Sequence, residues 1–327
     1  MKSATRNICA ILCVLPLAVP AIVSAQQEFY AAPYSYETNA DGSATLTGYA
    51  GPGGSVVIPA TISNLPVTGL YNTFAAFTSP NTTVTDVTIP SSVVSIGYSA
   101  FYNCSALTNV PIPPSVTSIG DDAFNGTALA TITIPTNVTS IGEDAFCRCR
   151  ALTNAVLYSI TSLEDQTFAD CTRLEKVTLP ATINMINGNP FYGCSNLREV
   201  FFLGNFPLQL SALPDSGLVF SDNPSVTVYC LPGTSNWTFC TLATGITPVL
   251  WNPLIQTGNA NFGVQNNQFG FDIKGTAGIP IVVEACTNLG VPVWTALTNV
   301  MLTNGLFHFS EPAQPASAGR FYRIGSP

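Results

Sequence analysis

Apolar positions recur along this 327-residue chain with a step of 22 or 23 residues. Phenylalanines fall at Phe101, Phe124, Phe146, Phe168 and Phe191, and Ile96, Ile119, Ile141, Leu163 and Ile186 keep the same interval. The phrase is clearest from Val116 to Phe124, which returns almost unchanged from Val138 to Phe146. A fixed step in the twenties predicts a solenoid, because a unit this short cannot enclose a core and must bury its apolar residues against the units above and below. Inside each unit a shorter period appears. Val87 and Ile89, Val110 and Ile112, Ile132 and Ile134, Ala155 and Leu157, Val177 and Leu179, and Val200 and Phe202 each bracket one residue facing the other way, as a strand requires. Proline follows four of these pairs, at Pro90, Pro113, Pro135 and Pro180, where it ends a strand without removing a ladder bond.

Residues 26–55 are expected to form an N-terminal hairpin cap, since Tyr34–Tyr36 and Ala44–Leu46 alternate around the turn residues Asn39-Ala40-Asp41-Gly42. Such a cap would cover the open edge of the solenoid, which otherwise exposes unpaired backbone groups. The solenoid itself is expected over 56–204, about six coils, the first irregular because Phe74 and Phe77 compete for one buried place beside an insertion over 77–83. Gly97, Gly120 and Gly142 suit a corner with positive φ. The acidic residues ahead of each Ala-Phe suit the start of a single helical turn. Residues 205–250 are expected to form the C-terminal cap and linker, with Trp237 in the cap core. Residues 251–327, where Phe269, Phe271 and Ile273 alternate, as do Ile281, Val283 and Ala285, are expected to form a small β-sandwich with few contacts back across the boundary.

In four coils a Cys stands three residues after the Phe, at Cys104, Cys149, Cys171 and Cys194, and a Leu stands six after it, as at Leu107 and Leu174. With Phe, Cys and Leu in register, residues 56–202 resemble the BspA-like, or Treponema-type, leucine-rich repeat. Thr127 departs from that pattern in the coil of Phe124, and the Asn ladder of other leucine-rich repeats is missing. The resemblance implies a mainly β leucine-rich repeat solenoid on a bacterial surface protein. Asn288-Leu289, Trp294 and Gly319–Arg323 are similar to C-terminal modules of secreted planctomycete and verrucomicrobial proteins, which implies attachment or sorting rather than chemistry.

Composition narrows the function. Lys2 and Arg6, the uncharged run from Ile8 to Val23 and the small residues up to Ala25 read as a secretory leader over 1–25; Pro16 and Pro20 and the shortness of the run argue against a membrane span. The chain carries net charge −8, with 9% charged residues, so it lacks the basic stripe that nucleic acid or an anionic membrane requires. Cysteines in a secreted chain invite disulfides. Those of the repeat stack one per coil and are expected as packed thiols, while Cys230 and Cys240 flank a turn and are a possible disulfide. Asp121, Glu143 and Asp165 stack in successive coils and could hold Ca²⁺, although support of local turns with water screening is the expected role, and no metal or other cofactor is expected. The single histidine, His308, is expected to face solvent on a strand, which leaves no triad.

A surface remains. Asn109 and Pro111, Thr131 and Thr133, Asn154 and Val156, Lys176 and Thr178, and Glu199 and Phe201 are expected to point outward together as a shallow, mostly neutral face for a protein or glycan partner, with Phe201 as an aromatic anchor. The expected function is therefore a secreted or cell-surface, non-catalytic binding protein. A structural envelope or matrix component without a discrete ligand is the alternative, and a carboxylate-dependent hydrolase a remoter one.

Overall fold

The computed structural model describes residues 29–75, 83–211, 219–220, 223, 225–290, 292–313 and 319–325. The leader over 1–25 and, apart from Thr83, the insertion from Phe77 fall outside the described residues. Most coils contribute two short strands where the apolar pattern announces one. The last four bracketed pairs lie in a six-stranded parallel sheet of Thr131–Thr133, Asn154–Val156, Lys176–Leu179 and Glu199–Phe202, extended by Thr227–Cys230 and Val249–Leu250. Upstream, Gly54–Val57 pairs in parallel with Val84–Thr88, and a bridge from Asp86 to Asn109 carries the ladder one coil further. A second parallel ladder runs through Leu65–Leu70, Ser95–Ile96, Ser118–Ile119 and Ser140–Ile141, and then through Ser162–Leu163, Met185–Asn187 and Gln209–Ser211. Most of its strands hold two residues with one buried, too short for any alternation to be read from sequence.

Between the two sheets the repeat phenylalanines form a column. Phe74, Phe101, Phe124, Phe146, Phe168 and Phe191 are fully buried, with successive ring centroids 5.1–6.0 Å apart and planes within 12°. Phe74 thus takes the place for which Phe77 competes. Tyr49 and Tyr34 extend the column at one end and Phe220 at the other. The thiols beside it do more than fill space. Cys104, Cys149, Cys171 and Cys194 are fully buried, and each donates its S–H to the carbonyl of the Phe one coil earlier (Phe74, Phe124, Phe146 and Phe168) at 3.0–3.2 Å. Burial pushes the thiols of Cys104 and Cys194 up to about 12. Thr127 hydrogen-bonds its own Phe124 carbonyl at 2.9 Å, so a hydroxyl replaces the thiol without stranding the group.

The corners differ from expectation in two respects. Gly97, Gly120 and Gly142 do not take positive φ; the left-handed residues are Ser99, Asp122, Asp144 and Gln166, two places before each Phe, and Asn103, Gly126, Arg148, Asp170 and Gly193, two places after. The glycines serve close approach instead: a Cβ on Gly97 would lie 2.7 Å from the Leu70 carbonyl, and one on Gly120 would lie 2.8 Å from backbone atoms of Gly97 and Tyr98. Nor do the acidic residues head a helical turn. The segment is a run of turns whose amides ladder between coils, Phe101 to the Ala123 carbonyl and Phe124 to that of Ala145, each at 2.8 Å. Asp121 and Asp165 accept from the amides of Glu143 and Asn189 in the next coil, at 3.0 and 2.8 Å.

At the N-terminal end Tyr34–Thr38 and Ala44–Tyr49 pair antiparallel, and Ala44–Tyr49 then pairs in parallel with Leu65–Leu70, so the cap's second strand doubles as the first rung of the solenoid. The parallel sheet continues past residue 204 as far as Leu250, and the helix Trp237–Thr244 closes that end, with the Trp237 ring against Phe202 and Phe206. Cys240 lies on this helix in the solenoid core, whereas the Cys230 thiol points along the sheet toward the Val249 carbonyl. Both are free, so the possible disulfide is not formed. Beyond Trp251, antiparallel sheets of four and three strands meet over Phe271, Ile273, Ile281, Val283 and Phe309.

Candidate functional site

The outward face of the six-stranded sheet changes character along its length. Asn109, Pro111, Thr131 and Thr133 are exposed, and Asn154 and Val156 are half-buried. Lys176 and Thr178 are buried, Glu199 is half-buried, and Phe201 is only 2% exposed. The burial comes from the C-terminal domain. Phe201 stacks on Tyr229 with centroids 4.5 Å apart and meets the edge of Trp251, and Phe201 and Tyr229 share one apolar cluster with Phe271, Ile281 and Phe309. Trp251 is fixed in turn by its indole N–H, which donates to the Pro280 carbonyl at 2.9 Å. Phe201 is therefore no anchor for a foreign partner, and the boundary near Trp251 is a packed interface. Both corrections have one cause: outward residues on the last coils are apolar enough to bury, and the chain supplies its own cover.

Where the covering domain stops, a cleft opens, lined by Asn154, Lys176, Arg198 and Glu199 of the solenoid and by Pro280, Asn299 and Met301 of the C-terminal strands. The Lys176 ammonium lies 4.8 Å from the Phe201 ring centre. Burial lowers its pKa to about 8, against an opposing pull from Glu199. Burial likewise pushes Glu199 above the usual carboxylate range, partly offset by Lys176. The Asn154 side-chain oxygen is buried on this border and has no hydrogen-bond partner among the described residues. An unpaired buried acceptor costs about 1–3 kcal/mol.

The stacked carboxylates do not converge: among the described residues no three His, Cys, Asp or Glu side chains are grouped as a metal ion would need. Glu143 is held above the ordinary carboxylate value by burial and then by Asp121 and Asp165 beside it. His308 is half-exposed, yet its Nδ1 lies 2.7 Å from Asp272 Oδ1. Asn259 and Asn261 both donate to Asp272 Oδ2 at 2.8 Å, and the bonds from Asn261 and His308 hold that carboxyl below its usual range. Sequence reading missed this cluster because Asp272 and His308 face each other only through antiparallel strand register. No helix among the described residues is long and apolar enough to cross a membrane.

A family model described as a BspA-type leucine-rich repeat region matches six copies over residues 73–200. A leucine-rich repeat protein of T. pallidum shares 31% identity, the alignment covering 57% of this chain and 85% of that one, with a TM-score of 0.48. A leucine-rich repeat protein from Bacteroides ovatus is 22% identical over 68% of this chain and 76% of its own (TM-score 0.35). A leucine-rich cell surface protein from Faecalibacterium prausnitzii is 19% identical over 68% and 99% (TM-score 0.24). Among curated proteins none matches significantly.

Proposed function

Because the chain belongs to the BspA-type leucine-rich repeat family, we propose that it is a non-catalytic, extracytoplasmic binding protein that takes a protein or glycan partner on the open part of its six-stranded sheet. The partner rests on Asn109, Pro111, Thr131 and Thr133 and reaches into the cleft beside Asn154, while the C-terminal domain, fixed over Phe201 and Tyr229, walls the far end and tethers or sorts the chain. The observation that carries this reading is the gradient on one sheet: exposed threonines on a rigid ladder, ending at a recess with an unpaired buried acceptor. A rigid repeat surface supports binding because its side chains need no ordering on contact. The name of the F. prausnitzii neighbour, a cell surface protein, agrees with the location.

The test is capture of envelope protein and glycan by the immobilised chain. Saturable capture that Thr131→Arg with Asn154→Arg removes supports the proposal. Capture that does not saturate, or that ignores both substitutions, returns the chain to a structural role without a discrete ligand.

A further inference from the structure

One coil is built short. Between the repeat Phe and the following Leu lie five residues in the coils Phe101 to Leu107, Phe146 to Leu152, Phe168 to Leu174 and Phe191 to Leu197, but four between Phe124 and Leu129. Gly126 and Ala128 of that loop stand level with Asn103 and Ser105 on one side and with Arg148 and Arg150 on the other. Asn103 Oδ1 lies so close over Gly126 that a Cβ there would sit 2.5 Å from it, which keeps this floor free of side chain. The result is a recess of about 500 Å³ open to solvent. Gly126, Thr127 and Ala128 form its floor, Asn103 and Ser105 one wall, and Arg148, Arg150 and Arg173 the other.

Arginine is scarce here, with ten Lys and Arg together against 18 Asp and Glu in the chain, so three guanidinium groups on one recess stand out. All three residues are exposed. Among the described residues the arginine ion pairs are Arg320–Glu311 and Arg323–Glu284, and none involves the recess. Arg148 lies near enough to Asp144 to pull down its pKa, and both Asp144 and Asp170 lie near Cys147 on the same turn edge, but among the described residues Arg148 forms no ion pair within 4 Å. Guanidinium forks match the geometry of carboxylate and sulfate oxygens, and they bind such groups more strongly than neutral donors do. The lining offers no aromatic or large aliphatic side chain of the kind that carries affinity between proteins. It offers an amide and hydroxyls, which suit sugar hydroxyl groups.

We propose that this recess binds an anionic saccharide, with Arg148, Arg150 and Arg173 taking its sulfate or carboxylate groups and Asn103 and Ser105 its hydroxyls. The site lies on the Phe-to-Leu loops rather than on either sheet, so it is independent of the sheet-face reading. The experiment titrates the full chain, at low ionic strength, with a heparin-type sulfated hexasaccharide and with an oligogalacturonate; the two arms separate sulfate from carboxylate as the preferred group. Saturable binding of at least one is expected, weakening as salt rises. Arg150→Gln with Arg173→Gln should reduce affinity by about tenfold or more with an unchanged melting midpoint. Lysine at both positions should restore only part of it, since charge returns without the fork. Ala128→Glu, which sets a carboxylate in the floor against the three guanidinium groups, should also abolish binding. Lys274→Gln, which removes an exposed cation of the C-terminal domain outside the recess, should change nothing. The proposal is overturned if neither saccharide binds, if Lys274→Gln weakens binding as much as the double variant, or if Ala128→Glu binds normally. It also fails if a polyglutamate peptide competes as well as the saccharide, which would make the ligand an acidic protein, or if equimolar inorganic sulfate displaces it, which would make the recess a bare ion site.

Discussion

The two ends of the six-stranded sheet are built from the same repeat, with the same outward positions, and meet opposite fates. Thr131 and Thr133 face solvent; two coils on, Thr178 is buried, and one coil further Phe201 is sealed beneath a second domain. Nothing in the strand geometry separates them, since Thr131, Asn154, Lys176, Glu199 and Thr227 follow one another in unbroken parallel register. The difference lies in outward chemistry. Threonine gives way to lysine and glutamate, and then to the aromatic pair Phe201 and Tyr229, which bury area that the C-terminal strands match with Phe271 and Ile281. A repeat fixes where side chains point; what is appended to it fixes whether they meet water or protein.

The sharpest way to break the comparison is to remove the cover. A fragment ending at Leu250 should expose Phe201 and Tyr229 as a contiguous apolar patch and self-associate in size-exclusion chromatography. A monomeric, soluble fragment would show that the interface carries no weight. Next in size, Phe201→Ala in the full chain should cost about 3–5 kcal/mol in urea unfolding, as expected for a buried phenylalanine; a loss below about 0.5 kcal/mol would place Phe201 at an accessible surface.

Lys176 gives a pH signature for the covered end alone. Its ammonium has a folded pKa of about 8, below the ordinary lysine value of 10.5, so between those limits the unfolded chain holds more protons and this residue's contribution to stability rises with pH. Lys176→Met should therefore be more stable than the parent near neutral pH, by an amount up to about 3 kcal/mol, and the gap should close as pH climbs from about 8 toward 10.5. The raised thiols of Cys104 and Cys194 act in the opposite sense, stabilising below the ordinary thiol value of 9.0 and losing that stabilisation as pH rises toward about 12. They are common to both proteins and cancel in the difference. A gap independent of pH would refute the buried-ammonium account. The smallest effect belongs to the open end: Thr131→Arg should leave the unfolding midpoint unchanged, within about 0.5 kcal/mol, while partner capture falls. A clear loss of stability would mean that this end too is covered.

Much of the solenoid was legible because its determinants are local and repeated. The Phe column, the strand pairs and the thiols each follow from one residue type at one interval, and a coil that stacks on its copy places equivalent residues one above another. The second ladder was harder to read, since Ser-Ile dipeptides carry no alternation. The corner glycines suggest positive φ, glycine's commoner use, whereas here backbone approach between coils demands the missing Cβ. Phe201 is legible as an outward aromatic, but a sequence does not say whether such a residue awaits a partner or already has one within the chain, as Phe201 has in Tyr229 and Trp251.

By itself, then, the sequence determined the repeat, its period, the residues that stack inside it and the scarcity of charge, because these depend on contacts between neighbours at a constant spacing. The tertiary structure alone decided the rest: which half of a uniform sheet stays open, that Lys176 and Glu199 border an interdomain cleft, that Asp272 meets His308, and that Arg148, Arg150 and Arg173 share one recess. Lys176 and Glu199, like Arg150 and Arg173, are one repeat of 23 residues apart, so the period already stacks them; what no period supplies is the place of the C-terminal domain over the sheet and the contact of Asp272 with His308, which only the packed arrangement brings about.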